Sequence, residues 1–416
     1  MDPSLLGQLK SARDASRSLG RLTGETRSAL VLSMAASLMA ARDEILSANA
    51  LDVERAVANA AAPSMLDRLR LNSSRIGQII SDMQSVAALP DPIGKTLYTH
   101  QQAEGLSIRK VSVPLGVVGV VYEARPNVTT DIAALCIRSG NGIVLRGGSE
   151  TIHTNKAMVD ALKQGLAEHS DALQFINDTN RDRVIELITA DQYIDVLIPR
   201  GGAALGRLCC ERGTVPVIVG GAGVCHLFLD ESAEPTGALE VILNAKTQRT
   251  SVCNALDTLL IHANVMANVG IAIASVLHVD GVCIHADDAA GVVLERHGVP
   301  YLPVTEADLA TEWLGMHINL VVVDGISDAM SHIQRYGSHS DGILTEDPLS
   351  AERFVSEVDS PAVFVNASTR FHDGGQFGLG AEVAVSTQKV HARGPLGLEA
   401  LTSAKWIVSG AYHCRG

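Results

Sequence analysis

The sequence predicts an α/β protein with two largely parallel sheets. Three observations carry this. From residue 115 onward, short apolar runs alternate with helix-length segments, the pattern of βα units. The 416 residues suit two or three domains, at roughly 150 residues each. With 46% hydrophobic and 19% charged residues, and a mean hydropathy of +0.18, the chain can bury cores, which disordered chains cannot.

The first ~90 residues read as helix. Apolar residues recur at helical spacing over 26–49 (Leu30, Met34, Leu38, Ile45), with breaks expected at Ser47–Ala50 and Pro63 and a boundary at Pro90–Pro92. Residues 97–113 alternate weakly about Gly105, as a two-stranded ribbon would. Strands are then expected at Val117–Val121, Gly142–Leu145, Leu173–Ile176, Val196–Ile198, Val215–Val219, Leu227–Leu229, Leu256–Ile261, Leu320–Val323, Gly342–Leu344 and Ala362–Val365. The division between sheets is expected near 220–235, where Gly220, Gly221, Gly223 and Pro235 cluster.

Charge and composition exclude several classes. A net charge of −13 does not suit a nucleic-acid binder, which carries a basic stripe. The longest apolar stretch, 264–284, is interrupted by Asn264, Asn268, Ser275, His278 and Asp280, short of the ~20 apolar residues a membrane span needs. Met1–Lys10 lacks the basic-then-apolar order of a signal peptide, so no membrane partner and a cytoplasmic location are expected. The seven cysteines are scattered without two-residue-gap pairs, so neither a metal site nor a disulfide framework is expected.

Six segments can carry chemistry. Tyr122–Asn127 follows a strand; Pro126 forces Arg125 out of helical geometry, and Asn127 can cap a helix over 128–139, leaving its amide to donate, or be only a cap. Arg146-Gly147-Gly148-Ser149-Glu150 and Pro199-Arg200-Gly201-Gly202 each run strand, glycines, helix. Glycines admit a phosphate to the backbone and a helix N-terminus favours anions; neither loop matches a Walker or dinucleotide fingerprint. Val219–His226 reads as a hinge or a close backbone approach to a ligand rather than a Cys–His pair, because Cys225 and His226 point to opposite faces of a strand. Lys246–Asn254 places Cys253 in a polar stretch with Lys246 and Arg249 nearby. An unperturbed thiol is only about 3% thiolate at pH 7, a fraction cations raise. The other reading is a solvated loop with a chance cysteine. Cys136, Cys209 and Cys283 read as core or helix positions. Gly337–Gly342, with His339, reads as a turn into the strand at 342. Five cations on these loops, in an acidic chain, would focus anionic ligands.

On these residues the chain resembles the γ-glutamyl phosphate reductase family of the aldehyde dehydrogenase superfamily. The resemblance spans nearly the whole chain and is strongest in Val113–Glu150, Tyr193–Gly202, Asn244–Asn254, Gly337–Asp347 and Val363–Leu401. It implies an aldehyde dehydrogenase-like α/β fold: a cofactor-binding domain (1–96 and 114–225), a catalytic domain (226–362), and an oligomerisation hairpin with a C-terminal strand (97–113 and 380–416), that strand joining across a subunit interface in a homodimer or homotetramer. It implies Cys253 as nucleophile and Asn127 as oxyanion donor. It implies NADPH/NADP held by Arg146, Gly147, Gly148, Ser149, Glu150, Pro199, Arg200, Gly201 and Gly202. L-Glutamyl 5-phosphate is the implied substrate, with Arg125, Lys246, Arg249 and His339 as candidate contacts and a glutamate 5-kinase as candidate partner. Where aldehyde-oxidising relatives hold a general-base glutamate before two glycines, this chain has Ile218. Activating water needs a base, so its loss suits acyl-phosphate reduction. A coenzyme A-dependent acylating reductase and a non-catalytic homologue remain as other readings.

Overall fold

A computed structural model describes residues 1–103, 105–220 and 223–415. The chain divides into two compact units: Met1–Gly220 with Gly378–Val385 and Val390–Gly416, and Gly221–Phe377 with Ser386–Lys389.

The first unit begins with the helices Pro3–Leu19, Gly24–Ala40, Arg42–Ala58, Pro63–Leu69 and Ser73–Ala88. The break expected at Ser47–Ala50 is absent: those residues lie inside Arg42–Ala58. Asn49, which reads as a loop residue, is buried there. Its amide donates to the Leu69 carbonyl (2.9 Å) and Thr154 Oγ1 (3.2 Å), and its Oδ1 accepts from the Leu71 N–H (2.8 Å). A buried polar group so satisfied costs the helix little. The break at Pro63 is present, where a proline opens a helix at its first turn.

Next comes the antiparallel hairpin of β1 (Thr96–Gln101) and β2 (Ser107–Pro114). Then β3 (Val117–Tyr122), β4 (Gly142–Gly147), β5 (Leu173–Phe175) and β6 (Val196–Arg200) form a parallel sheet in the order β5-β4-β3-β6. Val118, Val120 and Tyr122 pack into one core with the N-terminal helices, while Val117 and Val121 pack into another with Leu5, Leu9 and Leu197. Helices therefore cover both faces, as parallel sheets require. The run Val215–Val219 is not a strand; it makes one isolated bridge, Val217 to Leu197.

The strand Thr402–Ser409 pairs antiparallel with β2 of its own chain, Thr402 opposite Pro114 through Ser409 opposite Ser107. This corrects the expectation that it joins across a subunit interface. Leu396, Leu398 and Leu401 are buried in the first unit's core, and that burial delivers the strand to its own hairpin.

In the second unit, β7 (Val224–Leu229), β8 (Thr258–His262), β9 (Cys283–Ala286), β10 (Leu302–Pro303), β11 (His317–Val323), β12 (Gly337–Leu344) and β13 (Ala362–Val365) form a parallel sheet ordered β10-β9-β11-β8-β7-β12-β13. Leu227, Leu229, Leu259, Ile261, Ile318 and Leu320 fill one face, and Phe228, Leu260 and Ile343 the other. Gly337–Gly342, expected as a turn, is already strand. Among the described residues no helix is long and apolar enough to cross a membrane.

Candidate active site

In the first unit the strand order reverses beside β3, with β4 on one side and β6 on the other. A crevice at the carboxyl ends of strands at such a point is where α/β sheets bind ligands. The segments after β3, β4 and β6 are the three expected on the sequence. The Glu123 N–H donates to the Arg200 carbonyl at 3.0 Å. The Gly202 N–H, at the start of the helix Ala203–Arg212, donates to Glu123 Oε2 at 3.1 Å. A carboxylate of the chain itself thus meets the helix N-terminus where an anion is favoured. A Cβ on Gly201 would lie 2.6 Å from the Glu123 carboxyl carbon, so glycine there lets the exposed Glu123 side chain approach without shifting. Sequence reasoning missed Glu123; an acidic residue directly after a strand, facing a Gly-Gly turn, was its signal.

Arg146, next to last in β4, is almost buried, with Nη2 donating to the Thr179 carbonyl at 3.1 Å. Burial lowers its pKa. The Nε atoms of Arg146 and Arg200 are buried without a hydrogen-bond partner, as is Glu150 Oε2. Pro199 lies within β6, and Gly148 precedes a turn of 3-10 helix, Ser149–Thr151. Gly147 has a packing reason: a Cβ there would stand 2.2 Å from Asn155 Nδ2. Arginines with unpartnered Nε donors beside these glycine turns fit an anionic dinucleotide. Ile218 is buried in the apolar core, 5% exposed, so that position offers no base.

Asn127 is not a cap. The helix runs Pro126–Arg138, with Arg125 at the cap position and no side-chain cap bond, because Pro126 needs no N–H partner at the first helical position. Asn127 is exposed and its amide donates to Asp131 Oδ2 at 3.0 Å. An amide carries two N–H groups, so one remains for another acceptor. Burial pushes the Asp131 carboxyl up to about 7, against the hydrogen bond from Asn127.

Cys253 sits half-buried in the loop between the helix Pro235–Thr247 and β8. The helix ends at Thr247, so Lys246, Arg249 and Cys253 do not share a helical face. The loop is held from several sides. Cys225 Sγ donates to the Cys253 carbonyl at 3.1 Å, while the Cys225 N–H donates to Asp257 Oδ2 at 3.2 Å. Asn254 Nδ2 donates to the His372 carbonyl at 3.1 Å, and Thr369 Oγ1 donates to the Asn254 carbonyl at 2.7 Å. Burial pushes the Cys225 thiol well above its ordinary pKa; it stays a neutral donor. Its neighbour His226 bonds Asp341 Oδ1 at 2.9 Å on the opposite face, as strand alternation requires.

Lys246 is fully buried, its Nζ donating to the Leu256 carbonyl at 2.7 Å. Burial takes it down to about 8, with Asp257 and Cys225 opposing. His339 is also fully buried, Nδ1 lying 2.7 Å from Ser340 Oγ and 3.8 Å from Cys225 Sγ. Both belong to the scaffold behind the loop rather than to its surface. Arg249 is exposed and Arg125 half-buried. Sequence reasoning missed Arg370. Burial and the Arg249 charge lower its pKa, while Asp373 and Cys253 oppose, and its Nε donates to Gln248 Oε1 at 2.8 Å. It lies 117 positions along the chain from Cys253, so no local spacing announces it. Gly221 and Ala222 of the glycine cluster lie outside the described residues.

Comparisons with known proteins agree with this architecture. A model of the aldehyde dehydrogenase family matches residues 7–277. A gamma-glutamyl phosphate reductase of Sodalis glossinidius is 49% identical over 405 residues, 96% of this chain and 97% of that protein. The crystal structure of gamma-glutamyl phosphate reductase from Thermotoga maritima matches with a TM-score of 0.94 at 42% identity, covering 99% of this chain and 100% of that one. An acetylating aldehyde dehydrogenase from Geobacillus thermoglucosidasius shares the fold at 17% identity, with a TM-score of 0.71 over 99% of this chain and 98% of that one. By near-full-length identity and by fold, the chain belongs to the γ-glutamyl phosphate reductase family, oxidoreductases of the aldehyde dehydrogenase superfamily.

Proposed function

We propose that the protein reduces L-glutamyl 5-phosphate to L-glutamate 5-semialdehyde and phosphate, using NADPH, as the second step of proline synthesis from glutamate. The observation that carries this reading is the thiol of Cys253, half-buried on a loop pinned by Cys225, Thr369 and Asn254 and electrostatically coupled to Arg370. Family membership supplies the substrate.

The Cys253 thiolate attacks the acyl carbon, and the C–O bond to phosphate breaks, leaving a thioester. The Cys253 N–H and the second Asn127 amide hydrogen stabilise the tetrahedral oxyanion; one such donor is typically worth about 3 kcal/mol of barrier. Bound NADPH supplies the hydride that reduces the thioester. Collapse of the thiohemiacetal returns the thiol and releases the semialdehyde. Covalent capture splits one difficult step into two easier ones.

Arg146, Arg200 and the loops Gly147–Glu150 and Pro199–Gly202 hold the dinucleotide, with Glu123 yielding the helix start to phosphate. Arg125, Arg249 and Arg370 meet the substrate's anionic groups. Lys246 and His339 position the nucleophile loop. Ile218, buried in the apolar core, offers no base to activate water against the thioester. A cytoplasmic homo-oligomer built on the hairpin and C-terminal strand, receiving its labile substrate from a glutamate 5-kinase, completes the proposal.

The test is the reverse reaction. Semialdehyde and NADP⁺ should give NADPH absorbance only when phosphate or arsenate is present. Rapid phosphate-free turnover would instead mean a hydrolytic dehydrogenase.

A further inference from the structure

Three soft or borderline ligands meet at the amino ends of β9 and β11, away from every residue given a role above. Cys283 and His285 are two positions apart on β9 and so share a face of the sheet. His317, the first residue of β11, is in register with Cys283. Their donor atoms converge: His285 Nε2 is 3.2 Å from His317 Nδ1 and 3.9 Å from Cys283 Sγ, and all three lie within 4.8 Å of one another. Zinc bonds of about 2.0–2.1 Å to nitrogen and about 2.3 Å to sulfur place tetrahedral ligand atoms roughly 3.3–3.6 Å apart. The cluster brackets that spacing before any rearrangement.

The surroundings are those of a metal site. His285 Nδ1 faces Asp308 Oδ2 at 3.8 Å, and that carboxylate is fixed by the Thr305 N–H (2.8 Å) and Oγ1 (2.7 Å). A carboxylate behind an imidazole orients the ring and leaves Nε2 as the ligating atom. Trp313 stacks on His317 (centroids 4.8 Å apart, planes at 15°) and packs against His285 at 4.5 Å, tilted by 35°, so it buttresses both rings. Cys283 and His317 are half-buried, which leaves an approach for the ion and room for water as a fourth ligand. A lone hydrogen bond between two imidazoles would account for the 3.2 Å contact but gives the thiol no part.

We infer that Cys283, His285 and His317 bind a divalent cation of the zinc class. Mixed sulfur and imidazole donors select such an ion over magnesium or calcium, which take oxygen. The site is wired toward the nucleophile loop. The Trp313 backbone N–H donates to Asp257 Oδ1 at 3.0 Å, Asp257 Oδ2 accepts the Cys225 backbone N–H at 3.2 Å, and Cys225 Sγ donates to the Cys253 carbonyl at 3.1 Å. Loading the site fixes the tryptophan from which this chain of bonds begins.

The test titrates Co²⁺ into the full chain carrying Cys253→Ala, which removes the other thiol of interest and makes the result independent of the proposed reaction. Trp406→Phe is added so that Trp313 alone reports fluorescence. The expected result is one equivalent bound, with tetrahedral d–d bands, a thiolate-to-cobalt charge-transfer band and quenching of Trp313, all reversed by Zn²⁺. Adding His317→Gln should weaken binding about a hundredfold or more, the upper range for disturbing even an outer-shell partner. Adding Cys283→Ser, a near-isosteric change at a half-buried position, should remove the charge-transfer band while the far-ultraviolet dichroism is unchanged. If either variant fails to fold, the other decides. The same stoichiometry and spectrum in both variants would place the metal on other thiols, such as exposed Cys210 or Cys414, and overturn the inference, as would no binding at all.

Discussion

At the scale of single residues, the chemistry turns on where charge is allowed. Cys253 interacts electrostatically with the Arg370 guanidinium, and a thiolate rather than a thiol is the nucleophile. Cys253→Ala should abolish reductase turnover while NADPH still binds, as measured by fluorescence titration; substantial residual turnover would exclude the covalent route. Asp131 makes the opposite case, a carboxyl whose pKa burial raises to about 7 from 3.8. Below about pH 4 it is protonated whether the chain is folded or not. Between there and about pH 7 only the unfolded chain gives up the proton, so stability falls as pH rises. Above that the penalty is constant. Asp131→Asn should therefore match the parent in urea midpoint near pH 4 and exceed it at pH 8. A gap of equal size at both pH values would show that burial is not what acts on this carboxyl. Asn127 and the two arginines of the glycine loops stand out as candidates because reactive types stand in short runs after strands, and Cys253 because it stands in a polar run after a helix. Arg370, Glu123 and Asp257 do not, since each matters through a partner distant in sequence.

At the scale of elements, the two glycine loops look alike in sequence and differ in physical reason. A Cβ on Gly147 would collide with Asn155 Nδ2, itself held at 2.8 Å by Thr151 Oγ1. Gly147→Ala should cost about 1–3 kcal/mol, the usual range for overpacking, seen as a lower urea midpoint with unchanged slope. A Cβ on Gly202 meets nothing within 4 Å, and its φ of −62° suits any residue. Gly202→Ala should keep stability within about 0.5 kcal/mol yet weaken NADPH binding, because the methyl stands where a phosphate approaches. Equal losses of stability in both would remove that distinction. Strand positions were read well wherever an apolar run was buried on both faces, as in β3, β4 and β8. Val215–Val219 reads the same way yet forms no strand, with an isolated bridge at Val217, since ladder partners are a tertiary property. β9 and β10 were overlooked: Cys283–Ala286 is four residues long and Leu302–Pro303 two, too short for periodicity to register.

At the scale of the whole molecule, the three-stranded sheet of β1, β2 and Thr402–Ser409 presents apolar side chains to solvent. Leu97, Tyr98, Trp406 and Val408 are each roughly half-exposed or more, and every residue of β1 is exposed. An edge strand with such a surface invites another chain. Sedimentation at micromolar concentration should give a multiple of 43.8 kDa, and Trp406→Glu should shift it toward a single chain; a monomeric parent would remove the oligomer from the proposal. The α/β class, the βα order and the polar loop bearing Cys253 follow from residue order alone, because hydrophobic periodicity and turn residues are local and each strand buried on both faces announces itself. Packing between distant segments sets three further facts: the last strand returns to its own hairpin, Lys246 and His339 are buried behind the loop bearing Cys253, and Cys283, His285 and His317 converge. Those facts depend on which strands become neighbours, and strand order is set by packing across tens to hundreds of residues, which no short window of sequence contains.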